Sequence, residues 1–372
     1  MATNLYNIFL NGGSFDKTPE QQFVSRLVEN QIAKLEKMDL GDLTHRDYTL
    51  KIVMNDIKDD AGNDRIWRQF RVSGGISVAA LADKVITPLM GWVRNYHAHA
   101  FTVCKDGAVY GPTESKAIDM MHSQSIGYDA VPEKSDRGVW TLAHLLQKEG
   151  EIMLWLYDYG DNWRHIITAS VEDIAPASES TGKVAVLDGC GACPREDGSG
   201  NETWVEDMAK LRHGTVREKN ETLQELQHAL NYKGKTITVD FDPDDFDLFD
   251  ARARVRAALA SPDSVWSGPK TFVRPLHEDA LKAPAPGTTG ELKRGQKLER
   301  TWDGDEEDRM GRFMQEVTTQ KRDKKNGGCC WNCGSPHNLA GCSRCHRTLY
   351  CGTECQREHW KAGHRQQCGK QK

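Results

Sequence analysis

The chain lacks any apolar run long enough to cross a membrane. Its best candidate, residues 76–93, carries Asp83 and Lys84 inside it, whereas a spanning helix needs about 20 predominantly apolar residues. Residues 1–13 lack a basic start and a clear cleavage site, so no secretory signal is expected. No G-x-x-x-x-G-K-[ST], G-x-G-x-x-G or G-x-S-x-G occurs. The usual sequence marks of phosphate-loop enzymes, dinucleotide binders and serine hydrolases are therefore missing. A dominant charge is missing too. The net charge of −5 over 372 residues is too small to name a partner. Cysteine is scarce over most of the chain, where only Cys104, Cys190 and Cys193 occur, while eight of the eleven fall in the last 44 residues. Thiols gathered at metal spacing fit a reducing compartment better than an oxidising one. The expected location is intracellular, with cytoplasm and nucleus undecided.

What is present is concentrated at that end. Cys330, Cys333, Cys342, Cys345, Cys351, Cys355, His364 and Cys368 fall within 39 residues. Zn²⁺ takes four such ligands tetrahedrally, so eight predict two closed structural sites. Spacing alone allows consecutive or interleaved quartets. Cys329 is a spare beside Cys330, and C-x2-C with Cys333 favours Cys330. Tyr350 before Cys351, Gln356 after Cys355, and Trp360-Lys361 before His364 complete a pattern that resembles the MYND-type zinc finger. The resemblance implies a cross-braced order. Cys330, Cys333, Cys351 and Cys355 would hold one ion, and Cys342, Cys345, His364 and Cys368 the other. It also implies contact with proteins, often with short proline-containing peptides. His337, His346 and His359 have no slot in the pattern and read as surface residues. Filled coordination leaves no position for a bound water, which argues against zinc catalysis in the finger. Residues 321–372 hold 11 Lys/Arg and 3 Asp/Glu. That basic balance allows nucleic acid as a partner, but no nucleic-acid-reading motif accompanies it.

The rest of the chain reads as an α+β protein. Residues 1–46 form an N-terminal extension. Thr18-Pro19-Glu20-Gln21 is a helix start, and Phe23, Leu27, Ile32 and Leu35 keep a helical stripe. Residues 48–54 and 66–72 alternate as two strands of a hairpin. Ser77 caps a helix with Val78, Leu81, Val85 and Leu89 on one face. Residues 97–103 read as a strand, 113–135 as a loop or insertion, and 141–146 as a short helix. Strands follow at 151–157 and 164–171, separated by a turn of Asp, Gly and Asn. Further strands are expected at 183–187 and 236–240, and helices around 205–211, 223–230 and 244–259. Strands and helices without regular alternation point to α+β. Prolines and then charges crowd residues 261–328, which read as a flexible, partly disordered linker with one helix over 306–321. The expected organisation is an extension (1–46), a mixed sheet-and-helix body (47–260), the linker (261–328) and the finger (329–372).

Five stretches of the body resemble the plasmid pRiA4b ORF-3-like family, also described as passenger proteins of IS1096-type mobile elements. They are residues 66–68, Gly91-Trp92 with His97 to Phe101, residues 157–165, residues 187–197, and residues 241–247. Arg195 stands where the family pattern has a second Pro, and Gly198-Ser199 where it has a Cys-Gly step. The resemblance implies a fold but assigns no chemistry. Among these stretches His97, His99, Asp158, Asp161, His165, Cys193, Glu196 and Asp197 are metal-ligand and acid–base types. If residues 97–103 form a strand, His97 and His99 share one face. Two readings stay open: a metal-dependent or hydrolytic site, or a polar network that holds turns together. Cys190-Gly191-Ala192-Cys193 has redox or metal spacing but lacks a second such pair nearby, so a turn is expected. Arg68 and Arg164 are isolated, and no recombinase-like nucleophile sits among arginines. The expected function is binding. The alternatives are a metal-dependent enzyme and a nucleic-acid-associated protein.

Overall fold

The computed structural model describes residues 19–94, 96–112, 130–135, 137–261, 270–273, 296–301, 315–319 and 328–369. Its centre is an eight-stranded sheet. The strands are β1 (Asp47–Met54), β2 (Trp67–Ser73), β3 (His99–Val103), β4 (Ala108–Gly111), β5 (Val131–Pro132), β6 (Ile152–Tyr157), β7 (Trp163–Ile174) and β8 (Ala185–Cys190). Their order is β8-β2-β1-β7-β6-β3-β4-β5. All neighbours are antiparallel except β4 and β5. β1 and β2 alternate between buried and half-buried residues, as strands with one face on a core do.

The helices follow from local signals. α1 (Pro19–Leu35) starts where Pro19 predicts, but its stripe is only partly buried. Ile32 and Leu35 enter the core, while Phe23 is 64% and Leu27 50% exposed. A helical run over residues 78–90, here α2, is capped by Ser77, whose hydroxyl accepts from the Ala80 N–H at 3.2 Å. Its middle, Leu81–Ile86, is a π-helical segment. Gly91 ends it at φ 110°, in the left-handed region glycine tolerates. α3 (Leu142–Leu145), α4 (Asn201–His213), α5 (Val216–His228) and α6 (Leu248–Leu259) follow. α6 packs on α2 and β8.

Four expectations need correction. Residues 236–240 form no strand. Val239 is 79% exposed, and the Ile237 N–H is taken by the Gln227 side chain, so no ladder can form. The strand after α2 starts at His99, leaving His97 in the preceding turn. In the region read as a linker, β9 (Lys270–Val273), β10 (Gln296–Thr301) and β11 (Gln315–Thr319) form a sheet of order β9-β11-β10. The helix expected over 306–321 is thus a strand at 315–319, where Val317, Thr318 and Thr319 are β-branched. The rest of that helix, residues 113–129 of the expected loop at 113–135, and residues 1–18 lie outside the described residues, while Val131–Pro132 at the end of that loop form β5.

The fourth concerns the finger, which is seated on the body. The Val184 N–H donates to the Cys333 carbonyl at 2.9 Å. His337 stacks on His45 with centroids 4.6 Å apart, and its Nε2 lies 2.8 Å from Ser73 Oγ. Cys329 joins the body's core, and Lys84 lies over the Trp331 ring. His337 is therefore a contact residue rather than a surface one. His359 also has a partner, Tyr350 Oη at 2.8 Å from its Nδ1, while His346 is exposed.

Candidate metal centres

The finger folds around one short hairpin. β12 (Ala340–Gly341) pairs with β13 (Leu349–Tyr350), and α7 (Thr353–His359) carries Cys355. A short π segment brings His364 inward. This topology gathers Cys330, Cys333, Cys351 and Cys355 in one group, and Cys342, Cys345, His364 and Cys368 in another. The interleaved pairing is thus what the chain adopts. In the first group Cys333 and Cys351 sulfurs are 3.5 Å apart, and Cys351 and Cys355 3.6 Å. In the second, Cys342 and Cys368 are 4.0 Å apart, and Cys345 Sγ is 3.6 Å from His364 Nε2. A tetrahedron with Zn–S near 2.3 Å has an edge of about 3.8 Å. Both groups fit two structural zinc ions. The finger's apolar content, mainly Tyr350, Trp331, Leu339 and Trp360 around the sulfurs, is small. Zinc binding at such sites contributes on the order of 10–16 kcal/mol, so metal binding and folding of this module are one event.

The body holds a third, chemically different group. Asp158 follows β6 directly, at φ 62°. Its Oδ1 accepts the N–H groups of Gly160 and Asp161 at 2.8 and 3.1 Å, an Asx turn that fixes the carboxylate. Its own N–H donates to the Ala98 carbonyl at 2.9 Å and ties the turn to the segment carrying His97. Asp158 Oδ2 lies 3.3 Å from His97 Nε2. Asp197, at φ 55° in the loop after β8, brings Oδ1 to 3.1 Å from the same nitrogen. Glu196 stands behind, with Oε2 3.9 Å from it. Glu196 is anchored by the Val93 N–H at 2.6 Å and the Tyr157 hydroxyl at 3.1 Å. Burial pushes the Glu196 carboxyl up to about 8, against the opposing Val93 N–H and His97. The Tyr157 hydroxyl is also held well above its usual range by burial and by Glu196. Trp92 stacks on Tyr157 at 4.9 Å and closes the apolar side.

Other residues singled out from the sequence take other places. His99 Nε2 meets Glu133 at 2.7 Å, so it does not join His97. Asp161 accepts the Ser199 N–H at 2.8 Å and braces the loop. His165 is buried, with Nδ1 3.1 Å from the carbonyls of Trp155 and Trp163 and no partner at Nε2. This geometry makes Nδ1 the protonated nitrogen. Desolvation lowers the His165 pKa to about 3. Arg68, isolated in sequence, is buried and donates to the carbonyls of Trp67, Cys190 and Gly191. Its guanidinium lies over Phe246, and burial lowers its pKa to about 10. It holds the Cys190–Cys193 turn together. Burial raises the Cys193 thiol, and neither cysteine joins a metal-ligand group among the described residues. Sequence reasoning missed this role because an arginine serving carbonyls has no spacing signature.

All five family-like stretches meet here. Arg68 grips the 190–191 turn. A Cβ on Gly91 would sit 2.7 Å from the Cys193 Cβ, an approach only glycine permits. Tyr157 and Val93 hold Glu196, and the Gly191 N–H donates to the Asp244 carbonyl. The model of the plasmid pRiA4b ORF-3-like protein matches residues 46–250, more than half the chain. The chain belongs to the plasmid pRiA4b ORF-3-like family. A MYND finger model matches residues 330–368, so this pRiA4b ORF-3-like protein carries that finger behind its family domain. Among solved structures, the crystal structure of a protein of unknown function from Methanosarcina mazei Go1 is 24% identical. The match covers 55% of this chain and 97% of that one, with a TM-score of 0.39. No curated protein matches the chain. Among the described residues no helix is long and apolar enough to cross a membrane.

Proposed function

We propose that this protein is a zinc-dependent adaptor. Its finger, residues 329–372, binds a protein or a proline-containing peptide, and its body, residues 47–260, presents the finger. The carrying observation is that the finger's ligands gather in two groups of four, enough to fill every position of two tetrahedral zinc ions. Zinc in such a site shapes a surface and leaves no place for a substrate. Ligation by Cys330, Cys333, Cys351 and Cys355 at one ion, and by Cys342, Cys345, His364 and Cys368 at the other, is part of this reading. Trp360 is half-buried beside His364 on the finger. Extended proline-rich segments dock on aromatic surfaces because their conformation is already set before binding.

The test is a fluorescence titration of proline-containing peptides against the full chain, with its two zinc ions, and against Trp360→Ala. The expected result is saturable binding that Trp360→Ala weakens at least tenfold and zinc chelation abolishes. Binding that survives both changes would place the partner elsewhere and overturn the reading.

A further inference from the structure

The two finger sites are closed. The group in the body has a different donor set, a different geometry and one open side, and the adaptor reading does not use it. His97 Nε2 faces three carboxylates, at 3.3 Å from Asp158, 3.1 Å from Asp197 and 3.9 Å from Glu196. One imidazole nitrogen carries at most one proton and can donate one good hydrogen bond. Carboxylates from three residues converge on that nitrogen. The His97, Asp158 and Glu196 side chains are each 5% exposed or less, and in so poorly hydrated a setting a cation among the donors is attracted strongly.

The distances suit an ion. Donors held at about 2.1 Å from a metal, at right angles to each other, are about 3.0 Å apart. One ligand atom from each of His97, Asp158 and Asp197 lies within 4.8 Å of the others. The donors are also held in place. Asp158 is pinned through its second oxygen by two backbone N–H groups. Asp197 is pinned through Oδ2 by the Tyr96 hydroxyl at 2.8 Å. Glu196 is anchored by Val93 and Tyr157. Each carboxylate thus has one edge tied to protein and another toward His97. Hydrogen-bonded ligands of this kind are how proteins orient a metal shell.

We propose that His97, Asp158 and Asp197 bind one divalent first-row transition-metal ion, with Glu196 as the adjoining carboxylate. One imidazole with carboxylate oxygens suits manganese, iron or zinc; calcium and magnesium favour all-oxygen shells. Asp197 is 61% exposed, so the ion would keep positions open to solvent on that side. Those positions are where a small anionic or carbonyl ligand would coordinate.

The test is total metal content of the full chain, with the finger holding its two zinc ions. The protein is equilibrated with excess Mn²⁺ and passed through a desalting column, and bound metal is counted by mass spectrometry. Manganese does not compete well for thiolate sites, so the finger keeps its zinc. The expected result is three metal ions per chain in the wild type, the third being manganese or a retained native ion. His97→Ala and Asp197→Asn should each hold two. Asp197 is exposed, so Asp197→Asn keeps the fold even if His97→Ala does not, and an unchanged thermal unfolding curve verifies this. Glu133→Gln, at the separate His99 pair, should hold three. A wild type that saturates at two, or a folded Asp197→Asn that still holds three, overturns the assignment.

Discussion

At the scale of single residues, the body shows how one side-chain type divides among tasks according to its surroundings. His97 faces carboxylates, His99 pairs with Glu133, and His165 is sealed among Trp155, Trp163 and Trp92. The last makes a prediction about pH. His165 titrates near 3 when folded and near 6.5 when unfolded. Above about pH 6.5 both states are neutral, and its contribution does not change with pH. Below that, the unfolded chain takes up a proton that the folded chain refuses, so stability falls as pH falls. The slope approaches about 1.4 kcal/mol per pH unit and persists down to about pH 3. His165→Phe removes this proton. The stability difference between wild type and variant, followed by urea unfolding from pH 7 to pH 4, should therefore shift steadily against the wild type. A difference that stays constant over that range would sink the argument.

At the scale of elements, α1 shows which contacts hold a helix on a sheet. Its polar ties include exposed ion pairs from Arg137 to Glu29 and Glu36, both at 2.7 Å, and bonds from Lys34 to Asp106 and from Gln31 to Tyr110. Its buried ties are Ile32 and Leu35. Exposed pairs gain little because water screens them, whereas a buried aliphatic side chain leaves a cavity when truncated. Ile32→Ala should cost about 2–5 kcal/mol, while Arg137→Ala should leave the unfolding midpoint near the wild-type value. Equal losses in thermal unfolding would show that the ion pairs, not the core, hold α1. This helix also marks what was legible in the sequence. Pro19 announced its start, and Ser77 announced that of α2, because caps are local chemistry. The alternation in β1, β2, β6 and β7 was plain for the same reason. Burial of Phe23 and Leu27 was expected from spacing, yet spacing says only that residues share a face, not how far the partner surface extends. The strand at 315–319 and the absence of one at 236–240 depend on distant partners, which local pattern does not contain. The zinc ligands were legible because a tetrahedral ion demands close spacing. The convergence of His97 with Asp158 and Asp197 was not, since those residues come from three separate turns.

At the scale of the molecule, the finger is a metal-dependent unit resting on a body with its own core. Chelation of both zinc ions should unfold residues 330–368 while the central sheet persists. Hydrogen exchange should then show the Val184 amide losing protection together with the finger, because its acceptor is the Cys333 carbonyl. If Val184 stays protected after chelation, the seating described above is wrong. That single hydrogen bond has a wider meaning. Val184 immediately precedes β8, the outermost strand at one end of the sheet. Other backbone groups at and beyond that strand are taken by the body itself: the Val186 carbonyl accepts from Arg252, and the Gly191 and Ala192 N–H groups donate to Asp244 and Pro243. The finger covers the corner at Val184. A border strand with unpaired backbone groups is a template for joining another chain. Zinc starvation would thus do more than unfold the finger: it would uncork the sheet and invite copies of the protein to stick to one another edge to edge.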